Sequence, residues 1–195
     1  RQRQMCIRDR SYSNVFHANG GNASFSVMAN TLRGVYGTDV LLATANSFTG
    51  SVLQADYTQK MAVSMIMPNG LMSRQRTMTG AQLKELVRAY VEGCEGGFVP
   101  FNRGSLPVVS GIAVEVKETS GSYTLTGITR NGKPLGDDDT VTVTCLATEK
   151  QMEALLASKS GTSEDGDAWV KNTWRDHVSG GSAALAEPEN YMTLR

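Results

Sequence analysis

A run of five residues does most to limit what this chain can fold into. Asp39-Val40-Leu41-Leu42-Ala43 is continuous and apolar after its first residue, and it reads as a strand buried on both faces. An amphipathic segment precedes it. Between Ser24 and Tyr36 the residues Phe25, Met28, Ala29, Leu32 and Tyr36 recur at helical spacing, and Gly37 supplies the stop. Small and polar residues, 44–51, follow it and predict a loop at the end of the strand. A helix, a doubly covered strand and a polar loop in that order require helices packed against a sheet. In such folds ligand contacts gather on the loops at strand ends.

The rest of the pattern fills in the domain. Residues 57–64 suit a short helix, Pro68-Asn69-Gly70 a turn, and Leu71–Met78 a strand. Thr79 is a good N-cap, and Gln82 three residues later completes a capping box. Leu83, Leu86, Val87, Tyr90 and Val91 then form one apolar stripe before Gly93. Residues 93–110 read as a long glycine- and proline-rich loop. Ile112, Val114 and Val116 alternate with polar neighbours, so a half-buried strand is expected there. A second strand spans about 123–129. After the Asn131-Gly132 turn comes a third, in which Val141, Val143 and Cys145 share a face. A helix over about 149–158, a linker-like loop over 161–166, a final helix capped by Asp167, and an extended tail over 188–195 complete the chain. The predicted class is α+β, with mixed sheets and helices packed on them.

Composition excludes some functions. The chain has 195 residues, of which 40% are hydrophobic and 19% charged, ordinary for a globular domain. Its formal net charge is zero, but Arg1, Arg3, Arg8 and Arg10 crowd the first ten residues, so the remainder is mildly acidic. No basic field is left to hold a nucleic-acid polymer. No apolar run approaches the roughly 18 residues of a membrane span. The stretch Arg1–Arg10 resembles translated sequencing-adapter sequence, with a basic arm as the alternative. It is set apart from the fold, which leaves 11–195 as one domain.

Three stretches, in order, resemble the C-terminal domain of the 5'-nucleotidase family. Gly37-Thr38-Asp39-Val40 is similar to the family's TGAD lead-in to a strand. Met78-Thr79-Gly80-Ala81-Gln82-Leu83-Lys84-Glu85-Leu86 is similar to its LTGAQLKELLE helix start. Ser110-Gly111-Ile112, Asn131-Gly132-Lys133-Pro134-Leu135 and Thr140-Val141-Thr142-Val143 follow its later series. The resemblance covers about residues 24–148. It implies a layered α/β/β/α sandwich that binds the nucleoside part of a small phosphate ester. It also implies an N-terminal metallophosphoesterase domain of the same polypeptide, holding two divalent metal ions and the attacking water. This chain has only His17 and His177 and no Asp-x-His or Gly-Asn-His-Asp pattern, so no catalytic or metal-binding residue is expected in it. The family's usual location, outside the cell, in the periplasm or on the surface, is implied likewise.

Carried over residue by residue, the family's binding positions are changed. Thr44–Thr49 stands on its NGGGIR loop, leaving Asn46 in the loop and Thr49 where the arginine would be. Asn69 replaces the first base-stacking ring and Cys145 the second, and Gln151 falls near the family's aspartate. Phe101 and Arg103 offer a substitute ring and guanidinium, or else a loop plug and a solvated cation. Trp169 and Trp174 suit a cleft, although Trp174 shares helical spacing with Val170 and Val178 and so suits the core. Asp137-Asp138-Asp139 reads as an acidic turn rather than a calcium ligand set. His177 reads as a charge at a helix C-terminus. Cys94 and Cys145 read as one loop thiol and one buried thiol. Two functions compete: a substrate-recognition domain, and a non-catalytic ligand- or protein-binding module of a bacterial surface protein.

Overall fold

The computed structural model describes residues 16–52, 59–67, 70–92, 107–148, 162–164, 169–179 and 185–195. Four helices are described: α1 (Ala23–Tyr36), α2 (Gln59–Ser64), α3 (Gly80–Glu92) and α4 (Val170–Ser179). The strands are β1 (Phe16–His17), β2 (Gly21–Asn22), β3 (Val40–Thr44), β4 (Leu71–Thr79), β5 (Pro107–Ser110), β6 (Ala113–Thr119), β7 (Ser122–Arg130), β8 (Lys133–Pro134), β9 (Thr140–Thr148), β10 (Thr162–Glu164) and β11 (Met192–Leu194).

Among the described residues a five-stranded sheet has the order β10-β4-β9-β3-β5 and a four-stranded sheet the order β11-β6-β7-β8. Both are mixed. In the larger, β3 runs parallel to β9, while β4, β5 and β10 pair antiparallel to their neighbours. In the smaller, β11 lies parallel to β6 and the other pairs are antiparallel. The predicted α+β class with mixed sheets is therefore present.

The doubly covered strand is the centre of the core. Val40, Leu41, Leu42 and Ala43 are all fully buried. Asn22 caps α1 by accepting the Phe25 N–H at 3.0 Å, and Gly37 ends the helix. At α3 the capping box forms as predicted: Thr79 N donates to Gln82 Oε1 at 2.9 Å, and Gln82 N donates to Thr79 Oγ1 at 3.3 Å. The buried stripe of α3 matches its apolar spacing. Its Tyr90 lies beside the Cys145 thiol of β9, and its Glu92 accepts the Leu125 N–H of β7 at 3.0 Å. Helix α3 is thus the layer through which the two sheets meet.

The acidic turn also acts on α3. Gly80 N donates to the Asp139 carbonyl at 2.7 Å and Ala81 N to the Asp137 carbonyl at 3.0 Å, while Lys84 pairs with the Asp137 carboxylate at 2.6 Å. The turn thereby satisfies helix donors that would otherwise lack partners. Contact is so close that a Cβ on Gly80 would lie 1.8 Å from the Gly136 carbonyl oxygen, so this position excludes any side chain.

Two segments differ from expectation. Pro107–Ser110, read as the end of a long loop, is a buried edge strand. Its Val108 and Val109 are apolar, and proline is tolerated at the first residue of an edge. Residues 162–164, read as linker, pair with Thr77, Arg76 and Gln75 of β4, because backbone pairing at an edge needs no apolar pattern. The helix expected over 149–158 and the cap at Asp167 lie outside the described residues. The extended tail is present and does more than close the chain. Ser26 Oγ donates to the Glu189 carbonyl, Asn30 Nδ2 to the Glu187 carbonyl, and β11 then joins β6.

Candidate functional site

The register of the five-stranded sheet gives it two unlike ends. At one end stand Thr44, Pro107, Leu71 and Thr148: Thr44 pairs with Pro107, and Leu71 with Thr148. At the other stand Asp39, Ser110, Thr79 and Thr140.

The first end carries the loop that follows β3. Residues Ala45–Ser47 make one 3₁₀ turn, and Phe48 turns inward, 4% exposed, with its ring 5.7 Å from that of Phe25. The backbone is clamped to the segment before β4. Thr49 N donates to the Met65 carbonyl and Met67 N to the Ser47 carbonyl, each at 2.9 Å. Phe48 also bridges to Ile66. With Ser47 and Phe48 buried, Asn46 and Thr49 are left displayed to solvent on a fixed backbone.

Asn69, Phe101, Arg103 and Gln151 lie outside the described residues. Of the described residues that flank those segments, Leu71, Pro107 and Thr148 stand at this same end, whereas Glu92 is bonded to Leu125 of β7 and Thr162 pairs with Thr77, towards the other end of β4. Cys145 is not brought together with Asn46 and Thr49. It is fully buried in β9, paired with Leu42 on one side and Arg74 on the other. Burial pushes its thiol up to about 12, against the opposing pull of Arg76 and Tyr90. A thiol so placed is a core side chain and presents no surface to a ligand. Trp174 is likewise core, while Trp169 is 53% exposed and bridges by its backbone to Met72, the second residue of β4.

The opposite end is a knot of satisfied polar groups. The Asp39 carboxylate accepts from Thr142 N at 2.9 Å, from Thr142 Oγ1 at 3.0 Å and from Arg130 Nη2 at 2.7 Å. The bonded Thr142 N–H holds the Asp39 carboxyl below the usual carboxylate range, aided by the Thr142 hydroxyl, Arg130 and Arg33. Arg33 Nε donates to Ser110 Oγ at 2.7 Å, and Arg33 stands 3.8 Å from Glu189. A cavity of about 340 Å³ opens here, lined by Arg33, Asp39, Arg130 and Glu189 among others. These charged groups engage one another and tie the two sheets together. The family-like motifs Thr38-Asp39, Thr79-Gly80, Ser110-Gly111 and Thr142 meet at this end and have structural work to do there.

Among the described residues no group of three or more His, Cys, Asp or Glu could hold a metal ion. No described helix is long and apolar enough to cross a membrane.

No family model and no curated protein matches the sequence. Solved structures do match the fold. A 5'-nucleotidase precursor from Thermus thermophilus is similar over 94% of this chain, with a TM-score of 0.67 and 13% identity. The NAD nucleotidase of Haemophilus influenzae is similar over 90%, with a TM-score of 0.65 and 16% identity. A sulfate thiohydrolase from Thermus thermophilus is similar over 87%, with a TM-score of 0.61 and 10% identity. The match takes in 38%, 33% and 31% of those chains respectively, so this chain spans about a third of their length. Its fold is that of a 5'-nucleotidase C-terminal domain.

Proposed function

We propose that this chain is the substrate-recognition domain of a two-domain metallophosphoesterase that hydrolyses nucleotides or related phosphate esters outside the cytoplasm. Residues 11–195 form that domain in this reading, and an N-terminal domain of the same polypeptide holds the two divalent metal ions and the water. One observation carries the proposal. The displayed residues Asn46 and Thr49 follow β3 at the end where Thr44, Pro107, Leu71 and Thr148 stand, the carboxyl end of the parallel pair β3 and β9. Ligand contacts collect at such an end in open sheets. Binding energy gathered there would orient the ester against metals on the partner domain, which is catalysis by positioning.

Thermal unfolding with nucleosides, nucleotides and sugar phosphates tests it. A ligand present at about a hundred times its dissociation constant stabilises the chain by about 2.7 kcal/mol, a clear rise in Tm. The competing reading is a non-catalytic binding module, favoured by the burial of Cys145 where the family has a stacking ring. A flat Tm with every phosphate ester and nucleoside selects that module.

A further inference from the structure

We propose that Trp169 is the ring on which the planar, aromatic part of the ligand stacks, so that the chain prefers esters carrying such a group over bare sugar phosphates. The inference rests on the reading that the Thr44–Leu71–Thr148 end of the sheet receives substrate. Cys145, in the same sheet, is sealed in the core and offers no stacking surface. Trp169 reaches the end from a different element, the residue immediately before α4.

Its surroundings fit the role. Trp169 bridges Met72, and Met72 pairs with Ala147 next to the last residue of β9. Its own carbonyl accepts the Asn172 and Thr173 N–H groups at 2.9 and 3.2 Å, which makes it the cap of α4. The backbone is therefore held from two sides while the ring stays in solvent. Among the described residues the exposed large hydrophobics are Val35, Met61, Met67 and Trp169, and Trp169 is the most exposed. Met67, 46% exposed, precedes β4 and is held by its N–H to the Ser47 carbonyl, in the loop after β3. Singly exposed apolar side chains are ordinary. A tryptophan pinned by its backbone and open on its ring, at the end where displayed polar residues gather, is a preorganised platform. It orders little on binding, and stacking on it is tolerant of base identity.

The test compares adenosine 5'-monophosphate with ribose 5-phosphate on the wild-type chain, Trp169→Ala and Trp169→Phe. Only two tryptophans are present and Trp174 is fully buried, so quenching of the exposed, long-wavelength emission reports on Trp169. The nucleotide is expected to quench that emission. Trp169→Ala should weaken nucleotide binding on the order of 10-fold and leave the sugar phosphate untouched, while Trp169→Phe retains most of the affinity. Unliganded Tm should be the same in all three. If Trp169→Ala keeps full nucleotide affinity, or loses affinity for both esters equally, the stacking role is overturned while the recognition reading survives. If no nucleoside, nucleotide or sugar phosphate shifts the wild-type Tm, the recognition reading falls and Trp169 falls with it.

Discussion

The two ends of the five-stranded sheet are built on opposite plans. At the Asp39 end carbonyls, N–H groups and half-buried polar side chains from both sheets bond to one another, and at Gly80 and Gly111 the backbones approach too closely to admit a Cβ. At the Asn46 end the backbone is equally fixed, by the 2.9 Å bonds between the 47–49 and 65–67 segments, but Asn46 and Thr49 are exposed on it. The first arrangement specifies a fold; the second displays chemistry on it. Substitutions at the two ends should therefore separate into losses of stability and losses of binding.

The largest effect is expected at Gly111. Its φ is +82°, and an added Cβ would lie 2.0 Å from the Asp39 carbonyl oxygen. Gly50, at the other end, has a φ of +75° and nothing within 4 Å of a Cβ. Both lose left-handed freedom on substitution, but only Gly111 also meets a clash. Gly111→Ala should cost roughly 3 kcal/mol or more, and Gly50→Ala about 1–2 kcal/mol, in urea unfolding of the purified variants. Equal losses at the two glycines would mean that the Asp39 end is not the tighter of the two.

That end was also the more legible in the sequence. The motifs around Asp39, Gly80, Gly111 and Asn131-Gly132 are local strings whose role is to make turns and caps, and local chemistry reads well from local sequence. Elements made by long-range pairing did not show themselves. The Thr162–Glu164 strand is polar and exists through its bonds to β4, and nothing in Met192–Leu194 announces a parallel partner in Val114–Val116. Cys145 carried two conflicting signals. Its alternation with Val141 and Val143 placed it in the core, whereas family resemblance placed it in the pocket. Burial decided between them. Trp174 was readable from its helical spacing with Val170 and Val178. The place of Trp169 beside Met72 is set by a backbone bridge, which no spacing reveals.

A smaller effect is expected from the Asp39 carboxylate, whose side chain is 37% exposed. Asp39→Asn keeps the shape but removes the charge that Arg130 faces at 2.7 Å, and should cost about 1 kcal/mol once solvent screening is allowed for. The pH dependence has a definite sign. The folded carboxyl titrates below its unfolded value of 3.8, so its contribution is complete above that pH and is lost as pH falls through the folded value. The gap between wild type and Asp39→Asn in urea midpoint should be constant from neutral pH down to about 5 and close at lower pH. A gap that widens on acidification would contradict the ion pair as its source.

Asn46 is expected to show the smallest change in stability and the sharpest division between the two plans. It is exposed, it sits on a turn held by backbone bonds and by buried Ser47 and Phe48, and its removal opens no cavity. Asn46→Ala should alter the unfolding free energy by no more than about 0.5 kcal/mol. If this end binds a phosphate ester, losing the amide should nevertheless lower affinity about 10-fold or more, since a hydrogen bond to a charged group contributes about 1.5–3 kcal/mol. Titrating wild type and variant with the same nucleotide reads both quantities from one set of melting curves: the ligand-free Tm for stability and its ligand-induced rise for affinity. A variant that melts normally and still shows the full rise would remove Asn46 from the site. One that melts far below wild type would show that this loop, too, is part of the scaffold.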